Sequence, residues 1–357
     1  MSSTRSTSVP GRRTRRGPGI RGRDGLVAWL FTAPAILVLV LFLVLPILMA
    51  AWVSVSNWNG LGSPFSSKVG FVGDANYRSL LGQPGLAQTD FARSLRNNAW
   101  YVLLVVPVQT VVAMVLAVLV NQAWLKGRGF FRTSFYFPSV TSSVAITVIF
   151  LFLFSTSGVV NSVLGWMGSS GIGWFTETRG VLQIGLEGLG IKGGDGGRFM
   201  GLNWTDWLAG PSPAMLVFII MAVFTTSGTF MLIYLSALQQ IARDVDEAGT
   251  MDGASAWQRF RFITAPLLKQ TTATVVTLGL IGTWQVFDQI YVGSKGGPGK
   301  TTMTPAFLSY SQSFLNNAWG RGAAIAFLLF AIIVAFTLVQ ALVTRDRKPR
   351  RRKEKHV

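Results

Sequence analysis

The sequence contains no cysteine, and its single histidine, His356, is next to the last residue. The absence of cysteine excludes disulfides and thiolate chemistry and leaves the redox compartment open. Catalytic triads, proton relays and metal sites built on histidine have no candidate residue within the body of the chain. Paired catalytic carboxylates, metal-ligand clusters and a nucleophile elbow are also missing from the pattern, so we expect no catalytic residues, no metal site and no enzyme activity of the chain by itself.

Charge is scarce as well. Only 13% of the 357 residues are charged and 50% are hydrophobic, whereas a typical soluble domain has about a quarter charged residues. Apolar runs that reach the roughly 20 residues needed to cross a bilayer occur six times. They are Val27–Val53, Trp100–Val120, Phe135–Phe154, Ala214–Leu238, Thr274–Val292 and Ala323–Val343. The first is much longer than the apolar part of a signal peptide, so we expect it to be retained. The sequence predicts an all-α, polytopic membrane protein with six transmembrane helices.

The placement of basic residues predicts the topology. Of the 32 Lys and Arg, 22 lie before the first span, in 121–134, in 239–270 and after residue 343, and only 10 lie in the alternate loops. The positive-inside rule therefore places both termini in the cytoplasm. This divides the chain into a basic tail (1–25), a transmembrane domain (26–343) and a second basic tail (344–357). Because each tail flanks a span, we expect it to meet membrane lipid and not nucleic acid.

The loops on the outer side differ from the cytoplasmic ones. The loop 155–213 is long and carries Trp166, Trp174, Trp204 and Trp207. These tryptophans suit a contact with an external partner and suit interfacial anchoring equally. A second outer stretch, SKGGPGKTT from Ser294 to Thr302, nearly matches the phosphate-binding pattern G-x-x-x-x-G-K-[ST]. Ser294 replaces the first glycine, and the predicted location is away from cytoplasmic ATP, so we expect a structural turn there.

The cytoplasmic loop 239–270 has the most distinctive pattern. Acidic residues open a helical stretch, as favoured at a helix N-terminus, Gly253 interrupts it, and a second short helix is predicted over 254–262. Two short helices at a membrane surface suit either a docking element or an ordinary amphipathic connector, and the pattern alone does not separate these.

The loop resembles the EAA motif, E-A-A-x3-G-x9-I-x-L-P, of the membrane subunits of binding-protein-dependent ABC importers. Glu247, Ala248, Gly253, Ile263 and Pro266 fall at the spacing of that motif, with Gly249 in place of its second Ala. The sugar-type permeases add D-G-A, matched here by Asp252, Gly253 and Ala254. Segments 70–81, 130–161 and 284–298 also resemble this family, and Ser294–Pro298 is similar to its T-x-G-G-P turn.

The resemblance implies a permease subunit in a bacterial inner or plasma membrane that carries a sugar or related polyol. It implies a second, homologous permease subunit in a heterodimer, two cytoplasmic ATPase subunits docked at the EAA loop, and an extracytoplasmic solute-binding protein. ATP and Mg would be bound by the ATPase subunits, and no cofactor by this chain.

Polar residues within two spans predict the solute pathway. Thr225, Thr226 and Thr229 lie in the fourth span, and Thr283, Trp284 and Asp288 in the fifth. In continuous helices, Thr225 shares a face with Thr229 and Trp284 with Asp288. Hydroxyl groups and an aromatic ring suit a carbohydrate, although Ser and Thr also tie membrane helices together. Asp288, the sole acid within a span, leaves open an ion-coupled secondary transporter or a capping or ion-pairing role near the outer end.

Overall fold

The computed structural model describes residues 22–122, 124–168, 170–190 and 197–344. Within them the regular secondary structure is helical apart from one short hairpin. The two predicted basic tails, 1–25 and 344–357, lie almost entirely outside the described residues. The helices before the outer loop are α1 Gly22–Leu39, α2 Leu45–Ser54, α3 Ala75–Leu81, α4 Leu86–Asn121, α5 Arg128–Val140 and α6 Ser143–Leu153.

The outer loop and the remainder of the chain contain two long helices, α10 and α17, together with shorter helices and one hairpin. These elements are α7 Val159–Trp166, α8 Val181–Gly188, β1 Arg198–Phe199, β2 Leu202–Asn203, α9 Trp204–Leu208, α10 Pro213–Leu238, α11 Arg243–Met251, α12 Ala256–Arg259, α13 Ala265–Leu267, α14 Lys269–Trp284, α15 Asp288–Gly293, α16 Pro305–Tyr310 and α17 Trp319–Thr344.

The chain divides into two compact units at Trp52. The amino-terminal unit contains the first predicted span, which forms a helix over Val27–Ser54. A π-helical turn, Val40–Val44, joins α1 to α2, and there the Leu45 N–H donates to the Val40 carbonyl. Pro46 follows at once and has no N–H to donate, so a widened turn accommodates the missing bond without ending the helix.

Three more predicted spans are confirmed as long apolar helices in the second unit. The span over 100–120 is part of α4, which begins earlier, at Leu86, and the last two confirmed spans correspond to α10 and α17. In all, four helices among the described residues are long and apolar enough to cross a membrane. The core lies mainly between α4 and α10, where α4 buries Phe91, Tyr101 and Val105 and α10 buries Met215 and Phe218. Because lipid tails are as apolar as these side chains, the packing stabilises the bundle through van der Waals contacts between the helices.

The third predicted span is broken. Helices α5 and α6 meet at an angle of 94°, because Thr141 and Ser142 adopt extended conformations. The hydroxyls of Ser139 and Thr141 donate to carbonyls of α5 at 2.6 and 3.0 Å, which satisfies part of its C-terminal turn. Helix α5 packs closely on α10, where a Cβ at Gly228 would lie 2.2 Å from the Phe135 carbonyl oxygen.

The fifth predicted span is also divided, into α14 and α15. The helix ends at Trp284, and residues 285–287 form a non-helical segment before α15 begins at Asp288. Two side chains distant in sequence donate to the freed carbonyls: Asn98 Nδ2 donates to the Trp284 oxygen at 3.0 Å, and Thr304 Oγ1 donates to the Val286 oxygen at 3.0 Å. Non-helical backbone at membrane depth is stable only when it is satisfied in this way.

The outer loop 155–213 is folded locally where it is described. Asn161, buried in α7, accepts from the Trp174 indole N–H at 3.0 Å and donates to three carbonyls of the loop. Arg179 pairs with Glu177 at 2.9 Å and with Glu187 at 3.0 Å. The hydrogen bonds from Arg179 lower the pKa of Glu177 to about 2.

Candidate functional site

Two adjoining polar cavities lie within the helical bundle of the second unit. Their volumes are about 310 and 290 Å³. They share a wall formed by Ser143, Thr226, Phe230 and Gln289, so together they make one chamber between α4, α5, α6, α10 and the α14–α15 break. Small-molecule sites of about 300–1,000 Å³ are typical in proteins. We call this region the polar chamber.

The predicted threonines of α10 all line this chamber. Thr225, Thr226 and Thr229 lie on its first half. Thr225 Oγ1 donates back to the carbonyls of Met221 and Ala222 at 3.0 and 3.1 Å, so its oxygen lone pairs stay available as acceptors. Thr229 is exposed to the chamber. Hydroxyls in this arrangement can both donate to and accept from a polar solute.

Amide and phenol groups that the sequence analysis missed complete the wall. Tyr101 and Gln109 of α4 and Gln289 of α15 line the second half of the chamber. The Tyr101 hydroxyl donates to Gln289 Oε1 at 3.1 Å, and Thr226 Oγ1 donates to Gln109 Oε1 at 2.6 Å. The buried amide nitrogen of Gln109 has no hydrogen-bond partner among the described residues. The sequence shows Gln109 and Thr226 as polar residues within two separate apolar runs, but it does not indicate that they face each other.

Thr283 and Asp288 also line the chamber. Thr283 is buried and donates to the Gly279 carbonyl at 2.7 Å, whereas the Asp288 side chain is exposed to the chamber at the first residue of α15. The suggested ion pair between Asp288 and an outer-loop base is not formed among the described residues. Asp288 is therefore the acidic group of an otherwise neutral lining.

Trp284 lies elsewhere. The interpretation that it shares a helical face with Asp288 is wrong, because α14 ends at Trp284 and the two residues belong to different helices. Trp284 is buried, and its ring stands 5.3 Å from that of Phe336 on α17. It lines a separate, apolar cavity and contributes no surface to the polar chamber.

A row of aromatic rings leads away from the chamber through α15, α16 and α17. Phe287 lines the chamber and stacks on Tyr291 at 5.4 Å between ring centroids. Tyr310 contacts both rings, and the row continues through Phe314 to Trp319 at successive centroid distances of 5.1 and 4.6 Å. Aromatic faces next to a polar chamber are suited to stack on sugar rings.

The two predicted surface helices are confirmed as α11 and α12. The first ends in a Schellman motif: the Gly253 N–H donates to the Thr250 carbonyl and the Ala254 N–H to the Gly249 carbonyl, both at 3.0 Å. Gly253 has φ +74°, the left-handed conformation that this motif requires. The second helix starts at Ala256, two residues later than predicted, and continues through a π-helical turn and α13 to Leu267.

Contacts between the two helices hold them as one unit, which we call the EAA hairpin. Gly249 packs against Ile263, since a Cβ at position 249 would lie 2.9 Å from Ile263 Cδ1. Glycine at this position therefore allows the two helices to approach closely. Arg259 of the second helix donates to the Thr250 hydroxyl of the first.

Much of the hairpin surface is open. Met251 is 88% exposed, Trp257 66% and Phe262 69%. The side chains of Glu247, Ala248 and Asp252 are exposed as well, while Pro266 is exposed and Ala254 half-buried. The hairpin thus presents large apolar side chains beside acidic ones.

The SKGGPGKTT stretch forms a turn tied to α4. Its lysine, Lys300, contacts both oxygens of Asp90 at 2.7 and 2.8 Å. Asn97 Nδ2 donates to the carbonyls of Lys300 and Met303 at 2.9 and 3.0 Å. A phosphate-binding lysine needs a free ammonium at the end of a strand–loop–helix unit, and this turn provides neither. Within the described residues no cluster of acidic or histidine side chains is arranged to hold a metal ion.

Comparisons with known proteins agree with the motifs. The family model for the binding-protein-dependent transport system inner membrane component matches residues 100–349. The chain is 30% identical to the lactose transport system permease protein LacF of Rhizobium radiobacter over 323 residues, which covers 90% of this chain and 94% of LacF. It is 27% identical to the trehalose/maltose transport system permease protein MalF of Thermococcus litoralis over 330 residues, covering 92% and 97% of the two chains.

Solved structures show the same fold. A chain of a bacterial ABC transporter involved in the import of the acidic polysaccharide alginate superposes with a TM-score of 0.69 at 19% identity, over 92% of this chain and 97% of that one. A chain of a bacterial alginate ABC transporter, in complex with an alginate pentasaccharide-bound periplasmic protein, gives a TM-score of 0.65 at 18% identity, over 90% and 95%. At these identities the likeness concerns the fold.

Proposed function

The chain belongs to the family of binding-protein-dependent transport system inner membrane components, and we propose that it forms part of the pathway by which an ABC importer moves a carbohydrate or related polyol across the bacterial inner membrane. The observation that supports the solute class is the polar chamber, which is lined by hydroxyl, amide and phenol groups from six helices and by a single acid. Such groups exchange hydrogen bonds with the hydroxyls of a sugar and compensate its desolvation.

The names of the relatives point in the same direction. LacF and MalF are named for the transport of lactose and of trehalose or maltose. The hydroxyl and amide groups of the lining can both donate and accept hydrogen bonds, and Asp288 can accept them, which suits a polyhydroxylated solute. The aromatic row next to Phe287 supplies stacking surfaces for the same class of ligand.

The EAA hairpin is the proposed docking element for an ATPase subunit. It combines exposed apolar side chains with acidic ones on a rigid pair of short helices. We propose that closure of two ATPase subunits, which bind ATP and Mg, moves the hairpin and shifts the bundle between inward-open and outward-open states. The residues assigned to this contact are Glu247, Ala248, Gly249, Asp252, Gly253, Ala254, Ile263 and Pro266.

The remaining partners follow from the family. A second, homologous permease subunit forms a heterodimer with this chain, and an extracytoplasmic binding protein delivers the solute. These assignments rest on the family membership and on the complex with a periplasmic protein in a structural relative.

Reconstitution tests the proposal directly. The chain, its second permease, its ATPase and its binding protein are placed in liposomes, and uptake is measured across a panel of labelled mono- and oligosaccharides with ATP inside. We expect uptake of at least one sugar that requires ATP, the ATPase and the binding protein. Uptake that persists without the ATPase and collapses with an uncoupler would instead support ion coupling through Asp288.

A matched pair of variants tests the chamber. Thr229→Val removes a hydroxyl from the chamber wall while keeping the side-chain shape, and Thr274→Val makes the same change at an exposed threonine of α14 that lines neither half. Loss of one hydrogen bond of about 1 kcal/mol corresponds to a several-fold rise in KM for the first variant. Equal kinetics for both variants would contradict the assignment.

A further inference from the structure

A third cavity lies on the side of α4 opposite the polar chamber. Its volume is about 560 Å³, and none of its lining residues is shared with the chamber. Its walls come from α4, α14 and α17, and Trp207 and Leu208 of the outer-loop helix α9 form its roof. The Trp100 indole N–H donates to the Trp207 carbonyl at 3.0 Å and fixes the roof to α4.

The lining is almost wholly apolar. Trp284 and Phe336 form the back of the cavity, and Val102, Val106 and Leu280 contribute aliphatic surface. Its mouth is open to the side of the bundle: Leu103 is 60% exposed and Phe336 47%. Because Leu103 and Phe336 belong to α4 and α17, which are long and apolar enough to cross a membrane, we expect hydrocarbon at the mouth. A polyhydroxylated solute would find nothing there to replace its bonds to water.

One cationic group stands at the rim. Arg96 lines the cavity at the end of α4 nearest to the outer loop. Its guanidinium donates to the Asp206 carbonyl at 3.1 Å and to Asn97 Oδ1 at 2.8 and 3.2 Å, which holds it in place. No described carboxylate lies within ion-pair distance of it, and the Asp206 carboxylate attracts it only from further away. A guanidinium has five N–H donors, so donors remain for an anion.

We propose that this cavity binds a phospholipid with an anionic headgroup, with an acyl chain along the apolar walls and the lipid phosphate at Arg96. The combination of a hydrocarbon-facing slot and a fixed cation at its end matches the two parts of such a lipid. The site lies in the leaflet next to the outer loop. A bound lipid would fill the space between α4 and α17, on the side of α4 opposite the polar chamber.

The test counts lipid bound to the purified complex. The chain with its partner subunits is delipidated in detergent and incubated with phosphatidylglycerol or with phosphatidylcholine of the same acyl chains, and bound lipid is counted by native mass spectrometry. We expect one retained phosphatidylglycerol per chain, several-fold in excess over phosphatidylcholine.

Two variants separate the parts of the site. Arg96→Gln removes the headgroup preference, and the control Arg93→Gln, at a neighbouring arginine that does not line the cavity, keeps it. Leu103→Trp fills the mouth and abolishes retention of both lipids. Its control, Leu119→Trp, places the same ring at an exposed leucine of the same helix, away from the cavity, and retains phosphatidylglycerol.

Three results would overturn the proposal: no headgroup preference in the unaltered complex, equal retention by the Leu103→Trp and Leu119→Trp variants, or a partner subunit in the cavity. A photoreactive residue at position 103 examines the last case in the intact complex, since cross-linking to lipid supports the proposal and cross-linking to the second permease refutes it. Bound lipid is counted without measuring transport, so the result tests the lipid site separately from the proposed function.

Discussion

The bend of the EAA hairpin offers the sharpest test of coupling, through the substitution Gly253→Val. Gly253 has φ +74° and no heavy atom lies within 4 Å of a Cβ built there. The substitution therefore meets no steric neighbour, and its cost comes from the backbone alone. The left-handed conformation costs an L-residue about 1–2 kcal/mol. That penalty lowers the population of the native bend by roughly 5- to 30-fold relative to competing conformations.

The expected result is a comparable loss of ATP-dependent uptake, and of ATPase activity stimulated by the binding protein, in reconstituted liposomes. The thermal unfolding of the transmembrane bundle stays unchanged, because the exposed bend contributes nothing to its core. Gly253→Asn is the matched control, since asparagine tolerates φ > 0 and terminates helices in the same way; we expect nearly normal coupling. Gly253→Pro gives the strongest loss, because it also removes the N–H that donates to Thr250. Normal coupling by the valine variant would refute the view that the bend positions the ATPase contact.

Three further predictions concern stability. Gly228→Ala places a Cβ 2.2 Å from a backbone oxygen of α5, so we expect a loss of about 1–3 kcal/mol from overpacking and a lower Tm in detergent. Lys300→Met leaves the largely buried Asp90 carboxylate without its ammonium and should lower Tm, while the double variant with Asp90→Asn recovers most of the loss because no unpaired charge remains. The pKa of Glu177 is lowered to about 2 by Arg179, so the ion pair stabilises the outer loop above pH 4.5 and is lost as pH falls toward 2. We expect the fluorescence of the loop tryptophans to change over this pH range, and Arg179→Gln to remove the change.

Much of the fold was predictable, because the bilayer fixes the length of an apolar helix. The spans over Val27–Val53, Ala214–Leu238 and Ala323–Val343 agree with the observed helices within a few residues. The two breaks were not predicted. Hydropathy averages over a window and does not detect a change of backbone direction at Thr141 and Ser142. The break at 285–287 depends on side-chain donors from Asn98 and Thr304, which are distant in sequence.

One of the two candidate sites was predictable from the sequence, and the other was predictable only in part. The EAA hairpin was predictable because its cap, its bend and its glycine contacts are all local, within about 20 residues of one another. The chamber is assembled from separate helices, so its threonines were suggested by composition, whereas Tyr101, Gln109 and Gln289 required the structure. The shared helical face of Trp284 and Asp288 was wrongly predicted because that prediction assumed one continuous helix.

The break between α14 and α15 is what turns a set of polar residues into a chamber. In a continuous helix, Asp288 and Gln289 would follow the turn of α14 past Trp284, and the intervening backbone carbonyls would be bonded within the helix. In the observed structure, Asn98 and Thr304 donate hydrogen bonds to the carbonyls of the break. Helix α15 then begins at Asp288, and its first two residues line the chamber. The intramembrane acid is therefore explained by helix geometry as well as by solute binding, because an acid is favourable in the first turn of a helix. Trp284, the last residue of α14 before the break, lines the apolar cavity and not the chamber. One interruption thus separates the polar chamber from the apolar cavity, and because α14 lines both, a shift of α14 would alter both together.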